Sequence, residues 1–145
     1  MEYIVFKLRN ENYTIPLEKI KEILVYSQII ITDLFTEATW VKGVINLRGE
    51  VIPIIDLRVR FNISNPTYTD DTVAIVIKTA EDKLVSIIVD SISSIMELNT
   101  QVISPTPNMG IGIDERYVEG LIKMNNEQMA ALLDIDMILR IEELA

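Results

Sequence analysis

The sequence predicts a mainly β protein, a barrel or sandwich of short strands with a few short helices, on three observations. Short runs rich in Ile, Val and Tyr recur with turn signals between them. Segments with apolar residues at helical spacing are few and brief, too few for alternating βαβ units. The second half of the chain also repeats the pattern of the first. WVKGVINLRGEVIPIIDLRVRF from Trp40 is answered by YVEGLIKMNNEQMAALLDIDMIL from Tyr117, aromatic for aromatic and Gly120 for Gly43.

The repeat extends upstream, where YIVFK from Tyr3 lines up with AIVIK from Ala74, and Ile15, Leu17, Ile20 and Ile23 pair with Ile87, Val89, Ile92 and Ile95. The offset grows slowly along the chain, as small loop insertions in a duplicated unit would leave it. A chain of 145 residues is long enough for one ordinary core. The expected organisation is therefore a single domain, residues 1–145, made of two related half-units at about 1–69 and 70–145.

Taken in order, strands are expected at residues 3–8, 28–32, 41–47, 50–55, 73–79, 84–89, 120–124 and 130–133. Residues 17–24 read as a helix, with Leu17, Ile20, Ile23 and Leu24 at helical spacing and Pro16 tolerated at the start. A short turn of helix is expected after Asp56, and a closing helix over 136–144 with Asp136 as its N-cap. Residues 62–71, polar and broken by Pro66, read as the linker between half-units. A second loop spans 104–115, with Pro105, Pro107, Gly110 and Gly112.

Composition excludes several chemistries. There is no cysteine, hence no disulfide, thiolate metal site or cysteine nucleophile. There is no histidine, so the commonest proton-transfer side chain and metal ligand are missing, and the chain cannot be phosphorylated on histidine. A net charge of −9 disfavours nucleic acid and anionic membranes. No signal peptide and no apolar run long enough for a membrane span is visible, so a cytoplasmic location is expected, without cofactor or metal.

The hairpin tips carry the sharpest contrast. Tight hairpin turns need residues that accept positive φ, chiefly Gly and Asn. Gly49 and its counterpart Asn126 satisfy that demand, but Arg48 is opposite Asn125, so turn geometry alone does not call for a guanidinium. Arg48 at a tight turn should project into solvent and either pair with a partner's carboxylate or serve as a solubilising residue near Glu50. Gly43 and Gly120 read as a shared bulge or close backbone approach, and Asp56 and Asp134 as helix caps rather than catalytic groups. The neighbouring carboxylates Asp70-Asp71 and Glu142-Glu143 point to different faces and read as solvated charge. Gly110-Ile111-Gly112 lacks the third glycine and the preceding strand of a phosphate-binding loop.

The segment GVINLRGEVIPIIDLRVRF closely resembles the signature of the CheW-like chemotaxis coupling proteins. The similarity runs from YIVFKLRNENYTIPLEKIKEIL at the start to YVEGLIKMNNEQMAALLDIDMIL near the end. The resemblance implies two SH3-like five-stranded β-barrel subdomains around a shared hydrophobic core. It implies an adaptor without catalytic activity, connecting the cytoplasmic tips of methyl-accepting chemoreceptors to the regulatory domain of the CheA histidine kinase in receptor arrays at the membrane. Carried over by motif, the receptor-binding positions fall on Arg48, with Gly49 beside it and Gly43 before it, and in the KIKEIL segment on Glu22 and Ile20. One departure is the segment Glu37-Ala38-Thr39-Trp40, where the family usually has a proline. From the residues alone, the competing reading is a small-ligand-binding β-barrel or a hydrolase using carboxylates only.

Overall fold

The computed structural model describes residues 1–34, 38–63, 66–97, 114–124 and 128–139. The Asn125-Asn126 tip, residues 104–113 of the second loop, Glu37 and the closing helix past residue 139 lie outside them. The described chain is mainly β, as two five-stranded sheets with two short helices and a few 3-10 turns.

The strands are β1 (Glu2–Leu8), β2 (Glu11–Pro16), β3 (Ile20–Val25), β4 (Val41–Leu47), β5 (Glu50–Asp56), β6 (Val73–Lys78), β7 (Leu84–Val89), β8 (Ser91–Glu97), β9 (Val118–Lys123) and β10 (Met129–Leu133). The helices are α1 (Leu57–Arg60) and α2 (Ile135–Ile138). The chain divides into two compact units, one of residues 1–18 with 92–145 and one of residues 19–91. These units are not the sequence halves, because each draws strands from both.

The two sheets run β8-β1-β2-β10-β9 and β3-β6-β7-β5-β4. Replacing every strand of the first by its counterpart in the sequence repeat yields the second, in the same order. The registers match as well. Leu132 faces Thr14 across a parallel pair where Ile54 faces Ser86. Val118 and Gly120 face Leu133 and Leu132 through a bulge, where Val41 and Gly43 face Ile55 and Ile54 through the same one. Both pairing orders are open, without a ladder joining the edge strands among the described residues. In the second unit, Thr32 adds a single bridge to β4, so the chain leaving β3 at one edge reaches the other edge within a few residues.

β1 and β6 are buried on both faces, since Ile4, Val5 and Phe6, and Ala74 through Ile77, are wholly inaccessible. That burial is why these runs are continuous rather than alternating. In the first unit Val5, Met124 and Ala130 pack with Met96. In the second Ile45, Ile52, Ile54, Ala74, Val76 and Ile88 form the core.

Four local expectations are corrected. Residues 17–24 are not a helix: a 3-10 turn at Leu17–Lys19 leads into β3. Along β3, burial alternates with period two, and five residues pair with β6, so the cross-strand ladder overrides the local spacing. β2 and β8 are also strands. Residues 28–32, read as a strand, contribute only the Thr32 bridge, and Gln28 is the last residue of a 3-10 turn at Tyr26–Gln28. The N-cap of α2 is Asp134, whose carboxylate accepts from Met137 N, and not Asp136. Asp56 caps α1 at the equivalent point, accepting from Arg58 N.

Candidate functional site

β4 and β5 close through a two-residue turn in which Leu47 pairs with Glu50. Arg48 has φ of 51° and Gly49 of 86°, and positive φ at both central positions makes this a type I′ turn. Glycine takes that conformation without penalty, whereas an arginine is strained in it. The Gly49 N–H donates to the side-chain oxygen of Asn46 at 2.9 Å.

The turn carries Arg48 into solvent, with its side chain 73% exposed. Its guanidinium is held in two parallel bonds by Glu22 on β3, Nη1 to Oε2 at 2.9 Å and Nη2 to Oε1 at 2.7 Å. Its bidentate carboxylate is thus supplied by the same chain, and it is Glu22 rather than Glu50. The hydrogen bonds and the negative charge of Glu22 raise the Arg48 pKa above its ordinary value, so the guanidinium stays charged. β3 and β4 are opposite edges of the sheet order, so the pair links segments that pairing alone keeps apart. An open groove of about 700 Å³ lies beside it, with Leu47, Val51, Pro53 and Leu84 among its apolar lining and Lys21 and Lys78 among its charged residues.

The other carried-over positions occupy different places. Ile20 lies at the start of β3, half-buried opposite Ile77 and separated from Glu22 by the bulge at Lys21. Gly43 is buried toward the far end of β4, with φ of 148°. A Cβ there would overlap the Thr32 carbonyl oxygen and come within 2.8 Å of its carbonyl carbon. Thr32 and Val44 exchange two backbone hydrogen bonds of 2.9 Å across this approach. Gly43 is required by the backbone, and the shared-bulge reading describes it.

A second charged cluster lies inside the same unit. Arg58, 1% exposed, donates from Nε to Asp56 Oδ1 at 2.9 Å, from Nη2 to Asp56 Oδ2 at 3.0 Å and from Nη1 to Asp90 Oδ1 at 2.8 Å. It also donates to the Thr67 carbonyl. Burial pulls the Arg58 pKa down, but the hydrogen bonds and charge of Asp56, then of Asp90, outweigh it and hold it above the ordinary value. Tyr68 donates to Asp56 Oδ2 at 2.8 Å, stacks on Tyr26 at 4.6 Å and lies over the Arg58 guanidinium. Burial first, then the bond to Asp56, pushes the Tyr68 hydroxyl up to about 12. The network ties the segment after α1, expected to link the half-units, onto the second unit. Its carboxylates are committed to Arg58 and to the cap, so it is a structural clamp.

Sequence reading passed over Arg58, Asp90, Tyr68, Thr32 and Asn46; Asp90, Tyr68 and Thr32 find their partners only through folding, whereas Asn46 and Arg58 also bond within three residues. One signal was present: the first copy reads Asp56-Leu57-Arg58 where the second reads Asp134-Ile135-Asp136, so only the first places a cation beside its cap. Among the described residues no group of three or more acidic, cysteine or histidine side chains is placed to hold a metal ion, and no helix is long and apolar enough to cross a membrane.

Comparison with known proteins follows the same lines. The chain is 38% identical over 144 residues to the chemotaxis protein CheW of Klebsiella aerogenes, covering 99% of this chain and 84% of that one. It is 31% identical to the chemotaxis protein CheW of Bacillus subtilis, covering 94% and 85%. The crystal structure of the scaffolding protein TtCheW from Thermoanaerobacter tengcongensis superposes with a TM-score of 0.84 at 26% identity, over 97% of this chain and 88% of that one. The model of the CheW-like domain matches residues 2–143, and this chain therefore belongs to the CheW-like domain family.

Proposed function

We propose that this chain is a non-enzymatic chemotaxis scaffold that couples the cytoplasmic tips of methyl-accepting chemoreceptors to a CheA-type histidine kinase. It acts in the cytoplasm and is recruited to membrane-associated receptor arrays. The whole of residues 1–145 works as one domain built from two related half-units, consistent with the matching strand orders and registers of the two sheets. No chemical step is needed. A scaffold that binds one kinase arrangement better when the receptor is in one state contributes a coupling free energy between the two partners.

The observation that carries the reading is the Arg48–Glu22 pair. The family resemblance singles out both residues, they are far apart in sequence, and they meet at an exposed tip where an arginine occupies a conformation better suited to Gly or Asn. Arg9 takes the same left-handed conformation at the tip of β1 and β2, so it is the bidentate pairing with Glu22, and not the turn, that supports a functional role for Arg48. Arg48 and Glu22 form the receptor contact, Gly49 completes the turn that displays Arg48, Ile20 belongs to the same strand as Glu22, and Gly43 acts through the backbone of β4.

The test is co-sedimentation with receptor-containing membranes and the kinase, reading kinase autophosphorylation with the wild-type protein and with Arg48→Glu. The wild type is expected to bind and raise the rate. Arg48→Glu puts a carboxylate against Glu22 and is expected to lose both while remaining folded. Unchanged coupling by a folded Arg48→Glu protein would remove the receptor assignment. No binding by the wild type would remove the coupling function.

A further inference from the structure

We propose that Asn46 is the positioning residue of this site, holding Arg48 in its left-handed conformation and so aiming the guanidinium at Glu22. In a two-residue type I′ turn the N–H of the second central residue has no partner in the ladder. Here that donor, Gly49 N–H, is taken by Asn46 Oδ1 at 2.9 Å, from an exposed strand position whose side chain has no core to fill. The bond spans the peptide between Arg48 and Gly49 and opposes the rotation that would return Arg48 to negative φ.

The two copies differ at these positions together. The first reads Asn46-Leu47-Arg48-Gly49, and the second Lys123-Met124-Asn125-Asn126. Where the tip residue is an asparagine, which tolerates positive φ, the position two earlier is a lysine that cannot accept a hydrogen bond. The hairpin of β1 and β2 also has an arginine at its tip, Arg9 at φ of 49°, and there the position two earlier is Lys7. The acceptor is therefore particular to the tip that carries Arg48. Once the turn is set, the remaining reach to Glu22 is made by two bonds of 2.7 and 2.9 Å, whose bidentate geometry tolerates little rotation of the hairpin tip.

The functional consequence rests on the receptor contact proposed above; the local one does not, and the experiment separates them. In the full chain, amide exchange of Gly49 is followed by NMR for wild type, Asn46→Ala and Asn46→Asp, with core amides as the control. Asn46→Ala is expected to speed Gly49 exchange at unchanged core protection, and Asn46→Asp, which keeps an acceptor oxygen, to restore it. Receptor affinity should fall about two- to tenfold in Asn46→Ala, the worth of one hydrogen bond. It should fall no further when the same change is made in an Arg48→Ala chain. Unchanged Gly49 exchange, or equal losses of affinity with and without Arg48, overturns the proposal. If Arg48→Ala itself leaves affinity unchanged, the receptor assignment fails, and Gly49 exchange alone decides whether Asn46 holds the turn.

Discussion

Replacing Gly43 by alanine separates a backbone requirement from a binding role. The added Cβ meets backbone, the Thr32 carbonyl and the Asp33 Cα at 3.1 Å, so no side chain can swing aside. Holding a non-glycine residue at φ of 148° costs about 1–3 kcal/mol. If Thr32 is pushed off instead, the two hydrogen bonds it exchanges with Val44 are lost, at about 0.5–1.5 kcal/mol each. Either alone costs about 1–3 kcal/mol, and where strain and bond loss coexist they give a destabilisation of about 2–6 kcal/mol. For a chain of 145 residues that corresponds to roughly 6–20 °C in melting temperature. Urea unfolding followed by tryptophan fluorescence, Trp40 being the only tryptophan, measures it directly. Receptor affinity measured well below the midpoint, on folded protein, should then change far less than in Arg48→Glu. A Gly43→Ala protein with wild-type stability would refute the close-approach argument. One with wild-type stability and no receptor binding would make Gly43 part of the contact itself.

Other outcomes follow from the same geometry. Arg58→Ala leaves Asp56 buried without its cation and should cost about 3–5 kcal/mol in urea unfolding. Asp134→Ala removes the cap of α2 and should cost about 1 kcal/mol by the same measurement. Because the Tyr68 hydroxyl titrates higher in the folded protein than in the unfolded chain, its contribution is complete below about pH 10 and is lost as pH rises toward 12. Tyr68→Phe should therefore make the alkaline fall in stability shallower, and an unchanged pH profile would show that the Asp56 bond does not hold the phenol neutral. Reversing the pair, with Glu22→Arg and Arg48→Glu together, should restore coupling that either change alone abolishes, if the partner reads the pair as a unit. Kinase autophosphorylation decides that.

Strand content, the hairpin at Arg48-Gly49, the helical turn after Asp56 and the repeated pattern were legible in the sequence, because each is written in residues that are neighbours along the chain. Alternation, turn residues and caps act over a few positions, and their physics is local. The error at residues 17–24 shows where such reading stops. Apolar residues there fit a helical period, but pairing with β6 extracts a ladder of backbone bonds from the same residues, and the strand wins.

Only the tertiary structure decided which strands lie together. The repeat makes β1-β2 and β6-β7 equivalent, and it is equally compatible with each half folding on itself or exchanging strands. The fold exchanges them, through the parallel pairs β2-β10 and β5-β7. That exchange brings β3 into the same sheet as the hairpin of β4 and β5. Glu22 meets Arg48, Thr32 closes on Gly43, and Asp90 reaches Arg58 for the same reason. Each of these contacts joins residues that local sequence leaves independent, and their energy is realised only after the chain between them has been ordered, so no pattern at either end announces the other.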